Sequence, residues 1–255
     1  MELTVLGSGT VAPSAGRTAP AHWVSAGSVR LLLDCGAGTL HRAAQFGVDW
    51  PGVTHVALTH FHPDHWGELP MLLFALKWGT LPPRSAPLHL LGPPGLKTRL
   101  IVLAGALGDW VLDSGYPLDV REVEPGNRVA LADGVTLEGW KTPHTEESLA
   151  YAVHRGRTRL VYTGDTGPSD SLARWARDCD LLLAECSLPD AQGIAIHLTP
   201  SEAGALARAA QAHRLVLTHF YPAIEGTDPA SVAARAFGGE VIAARDGDRF
   251  TIGAD

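Results

Sequence analysis

Four side chains that can bind metal fall within six residues. The run His60-Phe61-His62-Pro63-Asp64-His65 holds three imidazoles and a carboxylate. Nitrogen and oxygen donors of this kind suit zinc, with manganese and iron as the alternatives. No cysteine stands beside the run, which argues against a closed thiolate site. A catalytic metal takes three protein ligands and keeps one position open. In an extended loop His60 and His62 can point to one metal, and Asp64 and His65 then turn toward a second. Two divalent ions roughly 3.5–4 Å apart can share a hydroxide and clamp a hydrolytic transition state. A surface or core role explains one histidine well, but not four ligands at this spacing.

Such a loop needs a rigid mount. Residues 53–59 are β-branched and apolar and read as a buried strand, and residues 66–76 read as a helix start followed by an apolar helix. The loop therefore lies at the carboxyl end of a core strand, where α/β sheets place ligands. Three further candidates also follow apolar, strand-like runs. His144 comes after residues 135–140, Asp165 ends residues 159–164 at a Gly turn, and His219 comes after residues 215–218. Together with the first loop they make seven ligands, enough for two metals and a bridging carboxylate.

In this order the residues resemble the metallo-β-lactamase-fold hydrolases, whose pattern is His-x-His-x-Asp-His, then a separate His, an Asp and a final His. The resemblance spans nearly the whole chain. It implies an α/β fold, a four-layer αββα sandwich, with a binuclear metal centre along one edge of two sheets. It also implies that His60, His62 and His144 bind one metal, that Asp64, His65 and His219 bind the other, and that Asp165 bridges them. The ligand pattern differs from the His-x-Glu-x-Asp of the flavodiiron branch.

Within that family the chain looks most like ribonuclease Z (tRNase Z) and related phosphodiesterases. Residues 6–13, Leu-Gly-Ser-Gly-Thr-Val-Ala-Pro, resemble their opening strand and loop. This is no dinucleotide fingerprint, because the third Gly and a following helix are missing. It is either a Gly loop that lets a phosphate near the backbone or a plain tight turn. Ile196-His197-Leu198-Thr199, before a Thr-Pro helix start, resembles the family's His-Ser-Thr motif, whose His helps protonate the leaving oxygen. Ala184-Glu185-Cys186-Ser187 stands where the family has His-Glu-Ala-Thr, keeping the Glu. A carboxylate beside an imidazole raises its pKa and makes it a fit acid for an alkoxide leaving group. The resemblance thus gives Asp64, His197 and Glu185 catalytic roles, with Asp64 also a ligand. The departure lies between His144 and Asp165, only 21 positions apart. Residues 148–154 and 158–162 fill that space as a hairpin around Arg155-Gly156-Arg157, leaving no room for the family's long tRNA-binding arm.

Composition sets the outer bounds. A chain of 255 residues, 45% hydrophobic, can bury a large core and reads as one hydrolase domain over residues 1–255. With 20 Lys+Arg against 27 Asp+Glu the net charge is −7, which favours a small anionic phosphodiester over a large RNA. Arg84, Lys97 and Arg99 form a thin cluster that reads as a solvated helix face. Cys35, Cys179 and Cys186 lack metal spacing and fit reduced thiols, and no secretory or membrane-spanning stretch is visible. A cytoplasmic protein without membrane contact is the expectation. Residues 93–107 read as a helix with a wide apolar face. The family resemblance makes it a candidate homodimer contact, beside roofing the site or covering the core. The expected activity is phosphodiester hydrolysis by a metal-bound hydroxide, with two divalent ions as cofactors. Lactone, carboxyl ester or thioester hydrolysis by the same centre is the first alternative, and a non-catalytic metal or nucleotide sensor the second.

Overall fold

In the computed structural model, which describes residues 1–253, the strands pair into two sheets. The first runs, edge to edge, β14 (Arg249–Thr251), β1 (Glu2–Gly7), β2 (Ala21–Ala26), β3 (Val29–Leu33), β4 (His55–Ala57), β5 (Leu88–Gly92) and β6 (Leu118–Glu122). The second runs β13 (Val241–Ala243), β12 (Leu215–Thr218), β11 (Leu181–Glu185), β10 (Thr158–Tyr162), β9 (Leu149–Arg155), β8 (Val135–Lys141) and β7 (Arg128–Ala130). Each sheet begins as an antiparallel meander, β1–β3 or β7–β10, and continues as parallel strands, β3–β6 or β10–β13. The two halves thus follow one plan that no visible sequence repeat announces.

Parallel strands need crossovers, and the helices supply them. Helices α1 (Thr39–Gln45), α2 (Pro63–Trp66), α3 (Leu69–Trp78) and α4 (Leu96–Leu107) belong to the first half. Helices α5 (Asp170–Trp175), α6 (Pro200–Ala209) and α7 (Pro229–Phe237) cover the second. The period-two alternation of side chains sorts them into layers. On β9, Leu149, Tyr151 and Val153 enter the core between the sheets, while Ala150 and Ala152 meet the helices. On β3, Leu31 and Leu33 join the core between the sheets and Leu32 joins the cluster that includes the helices of the first half. The result is the αββα sandwich expected from the sequence.

The strand directions fix where chemistry can occur. β3 and β4 are parallel, so residues 34 and 58–65 leave the first sheet at one edge. β8 is antiparallel to β9, which is antiparallel to β10, so β8 runs with β10, β11 and β12. Their carboxyl ends deliver His144, Asp165, Glu185 and His219 to a single edge of the second sheet. Two tyrosines stitch the sheets together below that edge: Tyr151 donates to Leu58 O at 2.9 Å, and Tyr162 donates to Asp34 Oδ2 at 2.8 Å.

Several elements differ from their sequence reading. The strand before the metal loop is only His55–Ala57, because the Thr59 N–H donates to the Asp34 carboxylate at 2.7 Å instead of to a neighbouring strand. The helix after the loop is split into α2 and α3 at Gly67 and Glu68. The Glu68 N–H bonds Cys35 O, and its carboxylate accepts from the N–H groups of Gly38, Thr39 and Leu40. Glu68 thereby caps α1, whose own N-cap Gly38 has no side chain to do so. The hairpin between His144 and Asp165 is as expected, with Arg155 paired to Thr158 across a two-residue turn. The apolar helix begins at Leu96 rather than Pro93. Arg84 is not on a helix face: it sits in the connection before β5 and donates to the carbonyls of Pro51, Val53, Ala86 and Pro87. Among the described residues no helix is long and apolar enough to cross a membrane.

Glu68→Ala strands three N–H groups at the start of α1, a loss of about 1–3 kcal/mol. For a chain of this size the expected drop in Tm is roughly 2–4 °C per kcal/mol. Glu68→Gln keeps one acceptor oxygen and should lose less. A thermal melt in which both variants match the parent would show that the cap does not contribute.

Candidate metal centre

All seven sequence-predicted ligands meet at the edge just described. Asp165 lies at their centre. Its Oδ1 is 3.1 Å from His65 Nε2 and 3.2 Å from His219 Nε2, and its Oδ2 is 3.5 Å from His144 Nε2 and 3.8 Å from His60 Nε2. Asp64 Oδ2 stands 3.6 Å from His219 Nε2 and 3.9 Å from His65 Nε2. His62 enters through Nδ1, 3.1 Å from His144 Nε2. Donor atoms of His60, His62, His144 and Asp165 lie within 4.8 Å of one another, and those of Asp64, His65 and His219 form a second such group.

Backbone geometry makes this convergence feasible. His219 follows β12 with φ 60°, a left-handed conformation that is rare outside glycine and turns the ring back over the sheet edge. Gly164, just before Asp165, has φ 55°, and a Cβ there would lie 2.8 Å from Thr59 Cγ2. Any side chain at 164 would push aside the threonine that orients His60.

Partners behind the rings decide which nitrogen faces the site. The Thr59 hydroxyl donates to Asp34 and so accepts from His60 Nδ1, 3.0 Å away. His65 Nδ1 donates to Asp34 Oδ2 at 2.8 Å, and His144 Nδ1 to Ile196 O at 3.0 Å. The Ser187 hydroxyl donates to Glu185 Oε2 at 2.6 Å and so accepts from His219 Nδ1 at 2.9 Å. Four rings therefore turn Nε2 toward Asp165.

This donor set fits a cation. His60 Nε2 and Asp165 Oδ1 are buried with no hydrogen-bond partner, although other polar atoms stand close. In a neutral ring Nε2 is a lone pair, and lone pairs aimed at a carboxylate repel it unless positive charge lies between. Burial holds His60 well below the ordinary imidazole pKa and lowers His144 as well, which favours the neutral rings that can ligate. Burial pushes Asp165 up, but His219, His65 and His60 outweigh it and hold the carboxyl well below the usual range. Burial pushes His65 down, yet Asp165 and Asp34 raise it well above the ordinary imidazole value. A proton there meets the charge that a metal would meet, and metal binding would displace it.

Beside this cluster stands the expected His197–Glu185 pair. His197 Nδ1 donates to Glu185 Oε1 at 2.9 Å, and Glu185 also accepts from the N–H groups of Thr166 and Leu198. Burial pushes His197 down, but the Glu185 carboxylate more than offsets this and raises its pKa above the ordinary value. A donor atom of His197 also lies within 4.8 Å of donor atoms of Asp165 and His219. The ring centroid lies 4.8 Å from that of His144 and 5.6 Å from that of His219.

The Gly loop at residues 7–9 resolves as a packing turn. A Cβ on Gly7 would lie 1.9 Å from Ala19 O. The Asp246 carboxylate accepts from the N–H groups of Ser8 and Thr18, so two donors a phosphate could use are taken. Conversely, Asp34, Thr59 and Ser187 orient the rings, Tyr162 holds Asp34, and none of the four was singled out by the sequence. Asp34 had a usable signal: it ends an apolar strand just before Cys35-Gly36, as Asp165 ends one at a Gly turn.

A family described as the beta-lactamase superfamily domain matches residues 29–220. Ribonuclease Z of Mycobacterium bovis is 33% identical over 248 aligned residues, covering 88% of this chain and 87% of the relative. A metallo-β-lactamase-fold protein from Bacillus subtilis, YhfI, superposes with TM-score 0.84 at 27% identity, covering 99% of each chain. The short form of human tRNase Z, ELAC1, superposes with TM-score 0.82 at 25% identity over the full length of both. With a dense His/Asp cluster at the sheet edge and relatives of this kind, the chain belongs to the beta-lactamase superfamily, in its ribonuclease Z-like branch, and is a metal-dependent hydrolase of the phosphodiesterase type.

Proposed function

We propose that the chain, as one hydrolase domain over residues 1–255, is a binuclear phosphodiesterase of small anionic diesters. The observation that carries this reading is Asp165, with one carboxylate oxygen toward each of two imidazole groups. His60, His62 and His144 would hold one divalent ion, Asp64, His65 and His219 the other, and Asp165 would serve both. Zinc suits these donors, and manganese or iron could replace it. When bound, the pair supplies a hydroxide nucleophile near neutral pH and neutralises charge on the phosphoryl oxygens.

The chain's own residues do the positioning. Asp34, Thr59, Ser187 and the Ile196 carbonyl fix the rings before substrate arrives, so little reorganisation is left for the reaction itself. Asp64 Oδ2 lies 3.6 Å from His219 Nε2 and 3.9 Å from His65 Nε2, the two rings it would share an ion with. Glu185 raises the pKa of His197, which favours a proton on the ring, and His197 Nε2 would pass it to the departing alkoxide. The two-residue turn at Gly156-Arg157 and the net charge of −7 favour a small diester. RNA affinity rests on many Lys and Arg contacts to phosphates. The relatives named ribonuclease Z make RNA the competing substrate. We place a homodimer contact at α4, where Ile101 and Val102 are 62% and 67% exposed, and the unpaired, buried cysteines fit a reducing cytoplasm.

Elemental analysis after mild dialysis should find about two divalent metals per chain. Asp165→Ala should reduce both, because its carboxylate serves both ions. Metal content near zero that zinc and manganese cannot restore would sink the binuclear reading.

His197→Ala should slow hydrolysis of an alkyl phosphodiester by roughly 10²–10⁴. A nitrophenyl diester, whose leaving group needs no proton, should suffer far less, and metal content should hold. Equal losses on both substrates would assign His197 a structural role.

Cleavage of a precursor tRNA, compared with a small diester at matched enzyme concentration and physiological salt, should be weak or absent. Efficient, correctly placed 3′ cleavage would overturn the small-diester reading and require another surface to grip the RNA.

A further inference from the structure

We propose that Arg17 is a positioning residue for His219, acting through Phe220 and Ser8. This rests on His219 being a ligand of the ion that Asp64 and His65 would hold. His219 has a left-handed backbone, φ 60°. A residue other than glycine keeps that conformation only where its surroundings over-determine it. Both neighbours of His219 are pinned. Before it, the Thr218 carbonyl accepts from the Cys186 N–H at 2.8 Å. After it, the Phe220 N–H donates to Ser8 O at 2.9 Å and the Tyr221 N–H donates to Ser187 O at 3.1 Å. Cys186 and Ser187 follow β11, so they belong to the same sheet edge as His219. Ser8 follows β1 and reaches His219 from the other half of the molecule.

Arg17 secures that outside anchor in two ways. Its Nη1 donates to Ser8 Oγ at 2.5 Å and to Ala244 O at 2.6 Å. The Ala244 N–H in turn donates to Leu217 O on β12, the strand that delivers His219. The Ser8 hydroxyl gives its own proton to Asp246 Oδ1 at 2.7 Å, and the Ser8 N–H donates to the same oxygen. The second hold is on the ring of Phe220, which is 1% exposed and lies 4.4 Å, centroid to Cζ, beneath the guanidinium. Phe220 is therefore fixed by its N–H and by its ring, and Arg17 stands behind both. A planar guanidinium can lie on an aromatic face while its edge donates, which an ammonium cannot do.

The other oriented ligands are held by different groups. His60 rests on Thr59, His65 on Asp34 and His144 on the Ile196 carbonyl. None of these bonds passes through Arg17, Ser8 or Phe220. Loosening Arg17 should therefore displace one ligand and spare the rest. On the proposed assignment His219 serves one ion of the pair, so the effect should fall on that ion alone.

The test loads the full-length protein with zinc and titrates it with a chelator, counting the ions released. In Arg17→Met, which keeps an unbranched stem but no charge and no donor, one ion should leave with roughly 10–100-fold weaker affinity, the usual scale for a partner behind a ligand. The other ion should hold as in the parent. In a His219→Ala background, Arg17→Met should not weaken the remaining ion. Arg17→Lys should weaken the same ion by a smaller factor, and it decides the question if Arg17→Met does not fold. Equal weakening of both ions would make Arg17 a general packing residue and overturn the inference, as would weakening of neither. A parent that never holds two ions would remove the binuclear reading itself, and this inference with it.

Discussion

Asp34 is a fully buried carboxylate on which the rest of the site depends. It follows β3 in a left-handed conformation, φ 59°, and is 0% exposed. Its two oxygens meet the Thr59 N–H and hydroxyl, the His65 Nδ1 and the Tyr162 hydroxyl. Three of these groups come from the metal loop and one from the opposite sheet. A buried charge is costly unless fully paired, so these donors have one stable arrangement. That arrangement sets the course of the loop at Thr59, the orientation of His60 and His65, and the spacing of the sheets at the catalytic edge.

From that point the constraints propagate outward. Thr59 carries the orientation to His60, and its close approach to residue 164 admits only glycine there. Glu185 does for the second sheet what Asp34 does for the first. It ends β11, is 1% exposed, and through Ser187 fixes His219 while bonding His197 directly. One buried carboxylate thus orients histidines of the cluster in each half, and the carboxylate of Asp165 faces both sets.

The convergence of these side chains was legible in the sequence because a set of residues able to ligate metal leaves a dense chemical signal. His60, His62, Asp64 and His65 declare themselves by spacing, and His144, Asp165 and His219 by following apolar runs. The sandwich itself was inferred from resemblance to a family, and β9 and β10 were visible as a hairpin in their own right. What could not be read were contacts made across the chain. Glu68 resembles an ordinary helix residue until it caps α1 some 30 positions away. Thr59 resembles a strand residue, yet its N–H leaves the ladder for Asp34. Residues 7–9 had the composition of a phosphate loop, and only the position of Asp246, near the far end of the chain, shows that the donors are occupied.

The duplicated plan of the two sheets carries a consequence for how the protein is made. On the proposed ligand assignment, the first half supplies two ligands to each ion and the second half supplies the third ligand and the shared carboxylate. A nascent chain that has folded only through β6 can offer bidentate sets, which hold divalent ions weakly. One ion would be secured once β8 and β10 had docked to supply His144 and Asp165, and the other only after β12 had brought His219. On that assignment a product truncated before residue 144 would lack a complete ligand set for either ion, and metal loading would await the second sheet.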